Sequence, residues 1–181
     1  MRLFVALSLP PGVVAALERI QQGVPGARWV PPENMHLTLR FIGEADGALF
    51  EDLIEALAEV TVPAFDLEIA SVGHFESRRL PTALWAGVRP QPALKQLQAK
   101  VERACQAVGL APEARKFAPH VTLARLGNTD VGRVSAFLQR YSLFEAGSVP
   151  VQGFNLYSSH LGKGQPLYRV EVEYLFDMPV D

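Results

Sequence analysis

A single cysteine, Cys105, stands in a chain of 181 residues, which leaves no disulfide framework and no cysteine zinc site within one chain. Val101 and Val108 beside it mark it as an apolar residue on a helix face. Charge of one sign is also missing, because 17 Lys and Arg offset 19 Asp and Glu for a formal net charge of −2. Coating nucleic acid through counterion release needs a broad basic surface, so this balance argues against that class. A single nucleic-acid end or a small nucleotide stays open as a ligand. No run approaches the roughly 18 apolar residues of a membrane span. The apolar stretch over residues 1–9 is short and is stopped by Pro10-Pro11-Gly12, unlike a secretory leader. Low-complexity and linker segments are absent, so one domain over residues 1–181 is expected. With 49% hydrophobic and 20% charged residues the composition is that of a soluble globular protein. The expected setting is the reducing cytoplasm, with the protein as a monomer and no membrane partner.

The elements expected from periodicity follow one order twice. A buried strand over residues 2–9 leads into a helix over 11–22, started by Pro11 and ended by Gly23 and Pro25. A strand over 35–42 closes at Gly43. Leu49, Leu53, Leu57 and Val60 then recur at helical spacing over 46–60, and strands over 65–75 and 82–88 complete the half. The second half replays this order with a helix over 92–108, a strand over 120–126, a helix over 130–141, and strands over 149–158 and 167–176. In the last strand Tyr168, Val170, Val172, Tyr174 and Phe176 alternate with Arg169, Glu171 and Glu173, as in a sheet wetted on one face. The expected fold is α+β: two pseudo-symmetric lobes, each an antiparallel sheet flanked by helices, around a central cleft.

One pattern carries chemistry. His36-Leu37-Thr38-Leu39 lies on the strand of the first half and His120-Val121-Thr122-Leu123 on the matching strand of the second, 84 residues apart. Residues two apart on a strand share a face. His36, Thr38 and Arg40 are therefore expected on one face, as are His120 and Thr122, with the leucines and Val121 packing opposite. A two-fold relation between the halves would bring both His-Thr pairs to one cleft. Histidine titrates near pH 6.5, so one imidazole can accept a proton while the other donates one, as in-line cleavage of a phosphodiester requires. The threonine hydroxyls can donate to non-bridging phosphate oxygens, and Arg40 can supply positive charge. The scheme needs no metal.

The duplicated motif resembles the 2H phosphoesterase superfamily, and within it the RNA 2′,3′-cyclic phosphodiesterases, historically called 2′-5′ RNA ligases. Further resemblance lies in Arg2-Leu3-Phe4-Val5-Ala6, Trp29-Val30, the run from His36 to Glu44, Leu84-Trp85, and the run from Phe117 to Arg125. The resemblance implies a bilobal α+β fold and metal-independent, cofactor-free opening of a terminal 2′,3′-cyclic phosphate to a 2′-phosphate. It also implies His36 as proton donor to the leaving 3′ oxygen and His120 as the group that activates water; the residues alone do not assign the two roles. The partner it implies is RNA with a 2′,3′-cyclic phosphate end, tRNA fragments included. Small cyclic nucleotides are an alternative substrate.

Strict alternation from His120 puts Ala124 on the cleft face, so Arg125 reaches phosphate only if the strand bends. Phe41 and Phe117 read as core residues rather than base platforms, and His74 and His160, without a Thr two places on, as surface residues. Arg78-Arg79 forms a loop able to border the cleft. An ATP-dependent ligase would need a phosphate-binding Gly-x-x-x-x-Gly-Lys-Ser/Thr loop, and Gly162-Lys163-Gly164-Gln165-Pro166 reads instead as a turn between strands. Any joining of RNA ends would then be nucleotide-independent, the reversal of cyclic phosphate opening. An idle RNA-end-binding module would share the cleft without depending on both histidines.

Overall fold

Pro and Gly punctuation divides the chain into short elements that local sequence explains. In the computed structural model, which describes residues 1–177, they run β1 (Arg2–Ser8), α1 (Pro11–Arg19), β2 (Arg28–Trp29), a 3-10 turn (Pro32–Asn34), β3 (His36–Glu44), α2 (Gly47–Ala58), β4 (Phe65–Ser77), β5 (Leu80–Val88), α3 (Pro92–Ala107), β6 (His120–Arg125), α4 (Val131–Arg140), β7 (Glu145–Val151), β8 (Gly153–His160) and β9 (Leu167–Leu175). Pro11 and Pro92 sit in the first turns of α1 and α3, where a missing N–H costs nothing. Asp46 caps α2 by accepting from the Leu49 N–H, and Asp130 caps α4 by accepting from Gly132. No described helix is long and apolar enough to cross a membrane.

The fold is α+β, but the two separate sheets expected from the repeat are one. Among the described residues the strands form a single antiparallel sheet in the order β7-β4-β5-β6-β3-β1-β8-β9, with β2 beside β6. Each side of it draws strands from both halves of the sequence. The strand expected over 149–158 is divided at Gln152, so that β7 pairs with β4 while β8 crosses to pair with β1. Leu37, Leu39, Val121 and Leu123 point into one buried core that also holds Leu17 of α1, Leu53 and Leu57 of α2, and Leu97 and Val101 of α3.

The two sides of the sheet meet at β3 and β6, which register at one position only, Leu37 opposite Val121. Those are the central residues of the two His-x-Thr motifs. In an antiparallel pair this register sets His36 across from Thr122 and Thr38 across from His120. Beyond that contact the strands diverge, and β2 fills the space beside β6, Arg28 opposite Arg125 and Trp29 opposite Ala124. A cleft opens at the seam.

Candidate active site

Both motif strands break alternation at the same place. Against β1, Ala6 faces Thr38 and Val5 faces Arg40, so Leu39 is the extra residue of a bulge. Against β5, Trp85 faces Thr122 and Leu84 faces Ala124, so Leu123 is its counterpart. A bulge adds one residue and reverses the side on which later residues emerge. Arg40 and Ala124 are therefore buried with the leucines before them, while Phe41 and Arg125 reach the cleft. This corrects the shared face expected for His36, Thr38 and Arg40. Arg40, 9% exposed, gives Nε–H to Glu102 at 2.6 Å, lies 3.7 Å from Glu113, and donates to the carbonyls of Phe41 and Ala111. Its guanidinium is committed to tying β3 to α3 and the 111–119 loop. Arg125 lines the cleft through the bend that alternation alone does not provide.

The cleft cavity has a volume of about 210 Å³ and is lined by both histidines, both threonines, Phe41 and Arg125, with Arg28, Tyr168 and the 164–166 turn closing it. The His36 Nδ1 lies 2.8 Å from the carbonyl of Asn34, and the His120 Nδ1 lies 2.8 Å from that of Ala118. A carbonyl only accepts, so each Nδ1 carries the proton and each Nε2 is the nitrogen left for chemistry. In the neutral ring the His36 Nε2 accepts from the Thr38 hydroxyl at 3.0 Å.

The surroundings differ between the two rings. His36 sits among Phe4, Tyr168 and Tyr157, with ring centroids 4.9, 5.3 and 6.3 Å away. His120 has Phe75 edge-on at 4.8 Å and Trp85 at 6.4 Å. Trp85 lies so close over Gly73 that a β-carbon there would overlap the indole, so glycine keeps this shelf in place. Burial lowers both imidazole pKa values below their ordinary 6.5; the Arg125 charge adds to the effect on each, and His120 adds to that on His36. The free site therefore favours two neutral imidazoles at pH 7.

Sequence reasoning missed several lining residues. Tyr168 faces the cleft because β9 carries a bulge at Glu171, between the pairs Leu156–Val172 and Tyr157–Val170, which breaks the expected apolar face and leaves Val170 48% exposed. Phe41, read as core, is 58% exposed; Phe117 is half-buried. The 164–166 turn is a cleft wall held by the Asn34 side-chain amide, which donates to the Pro166 carbonyl at 3.0 Å. His74 pairs with Glu76, and exposed His160 meets Ser158, both away from the cleft. Cys105 is buried in α3 and its thiol is pushed up to about 11 by burial. Among the described residues no three His, Cys, Asp or Glu side chains gather as a metal-ligand set.

The family described as LigT like Phosphoesterase matches the chain over residues 7–85 and 87–168, with one His-x-Thr motif in each stretch. A protein named RNA 2′,3′-cyclic phosphodiesterase from Aeropyrum pernix is 35% identical over 153 residues, 83% of this chain and 86% of that one. Another of that name from Archaeoglobus fulgidus is 30% identical over 172 residues, covering 93% and 97%. Among solved structures, E. coli LigT complexed with 3′-AMP is 25% identical, covers 98% of each chain and superposes with a TM-score of 0.80.

Proposed function

The chain belongs to the LigT-like phosphoesterase family, and from that premise we propose that it hydrolyses the terminal 2′,3′-cyclic phosphodiester of RNA to a 2′-phosphomonoester, with His36 and His120 as paired acid and base. The observation that carries the reading is the matched ring lock: each Nδ1 is held by the carbonyl two residues upstream, and both rings line one cavity with both threonines. Water attacks phosphorus in line with the P–O3′ bond, and the His120 Nε2 takes its proton. The P–O3′ bond breaks with its electron pair on O3′, and the His36 Nε2–H gives that oxygen a proton. Net, one water is consumed and a 2′-phosphate and a 3′-hydroxyl are formed.

In this scheme the Thr38 and Thr122 hydroxyls and the Arg125 guanidinium hold the non-bridging oxygens as charge grows on them. Arg40 is left out, since its donors are already engaged inside the protein. The anionic substrate raises the pKa of both rings on binding, which supplies the protonated acid that the free site disfavours. A 5′-hydroxyl attacking in place of water would join RNA ends through a 2′-5′ linkage without a nucleotide cofactor. RNA fragments carrying a cyclic end, those of tRNA among them, are the fitting substrates.

An oligoribonucleotide ending in a 2′,3′-cyclic phosphate, incubated with the protein in EDTA and without ATP, tests the reading. Conversion to the 2′-phosphate, lost in His36→Ala and in His120→Ala, is the expected result. Unchanged substrate, or an absolute need for ATP or a metal ion, overturns it.

A further inference from the structure

The histidine cavity, at about 210 Å³, is smaller than the roughly 300–1,000 Å³ of pockets that enclose a whole small-molecule ligand. It suits a cyclic phosphate and its ribose, whereas an RNA end also brings bases and a chain that must leave the cavity. On one side the exit is barred by the 164–166 turn, bonded to Asn34. On the other the cavity runs into a groove of about 530 Å³, with which it shares Thr38, Phe41, His120 and Arg125.

Resting on the phosphodiesterase reading, we propose that this groove is a subsite for the nucleotide immediately 5′ of the cyclic end, its base against Phe41 and Phe75 and its phosphodiester on Lys116 and Arg115. Phe41 and Phe75 both line the groove and are 58% and 38% exposed, so two aromatic rings are open to the same space. A base stacked on such a ring gains affinity whatever its identity. The carboxylates of the groove are already engaged, Glu76 by His74 at 2.8 Å and Glu113 by Arg40 at 3.7 Å. Lys116 makes no ion pair among the described residues, and Arg115 is 91% exposed with its Nε 3.9 Å from Glu113. Both cations stand on the 111–119 loop that Arg40 fastens through the Ala111 carbonyl. Past Glu76 the β4–β5 hairpin ends in the exposed Arg78 and Arg79.

The test compares kcat/KM for adenosine 2′,3′-cyclic phosphate with that for the dinucleotide ApA carrying the same cyclic end. The dinucleotide is expected to be favoured about tenfold or more, from one stacked base and one phosphodiester contact. Its log kcat/KM should also fall more steeply with log salt than the mononucleotide's, by about 0.7 for one phosphate contact. In the Arg115→Ala, Lys116→Ala double variant, with its melting temperature checked, the extra salt dependence and the phosphodiester's share of the dinucleotide advantage should disappear while the mononucleotide rate stays within about twofold. Equal rates for the two substrates, or a variant that slows both alike, would overturn the subsite and leave the phosphodiesterase reading standing. Hydrolysis of neither substrate would overturn both.

Discussion

β3 and β6 begin alike and end differently. Each presents a histidine and a threonine to the cleft, packs the residues between them into the core, and bulges at the following leucine. At the next two positions the chemistry separates, with Arg40-Phe41 on β3 and Ala124-Arg125 on β6. Because the bulge turns the first of each pair inward and the second outward, one strand spends its arginine on the frame and the other on the site. The difference shows that a duplicated scaffold can hold two histidines in matched geometry while placing the arginine that follows in the frame on one strand and at the cleft on the other.

The histidines should show the largest effects and the least difference. His36→Ala and His120→Ala are each expected to lower kcat/KM by about 10²- to 10⁴-fold, the usual worth of one proton transfer. The double variant should be little worse than either single one, because the groups act as a unit. A variant that retains near-native turnover would break the symmetry of the pair.

The arginines should separate by observable. Arg40→Ala leaves Glu102 without its buried partner and should cost about 3–5 kcal/mol of stability, read as a lowered midpoint of denaturant unfolding. Arg125→Ala should leave that midpoint nearly unchanged. An unaltered midpoint in Arg40→Ala would remove the structural role assigned to it.

The threonines come next, since loss of one preorganised donor to a developing charge costs about 3–4 kcal/mol in kcat/KM. Thr38→Val carries a second consequence that Thr122→Val lacks, because the Thr38 hydroxyl also bonds the His36 Nε2. Its pH profile should move as well as its rate. Arg125→Gln is expected to give the smallest loss, about 1.5–3 kcal/mol for one charge-assisted contact. It should also raise the pKa of both histidines, since its charge holds them down. A rate loss with an unmoved pH profile would place Arg125 away from the rings.

Much of this site was legible because two periodicities agreed. A period of two put His36 with Thr38 and His120 with Thr122, and the repeated order of elements suggested that the pairs converge. What alternation could not show was the bulges. They depend on how β3 meets β1 and how β6 meets β5, which is long-range pairing rather than local preference, and they reversed Arg40, Phe41 and Arg125 together. The Glu171 bulge did the same to Tyr168. Likewise the repeat was plain in the order of elements, yet nothing in it revealed that β8 and β9 return to the first motif's side of the sheet. The turn at 161–166 was recognisable from its glycines, but its place as a cleft wall follows only from the Asn34 bond.

The pH dependence of kcat/KM, measured for the wild type and for each histidine variant on one cyclic-phosphate substrate, bears most directly on the paired mechanism. kcat/KM reports the free enzyme, in which both rings titrate below 6.5. The wild-type profile should therefore rise through one pKa and fall through the other, with its maximum on the acid side of 6.5; the kcat profile should lie at higher pH, because bound phosphate raises both values. Residual activity of His120→Ala should only fall with pH as the acid deprotonates, and that of His36→Ala should only rise as the base is freed. A wild-type profile flat from pH 5 to 9, or a bell that survives in either variant, would contradict acid and base catalysis by this pair.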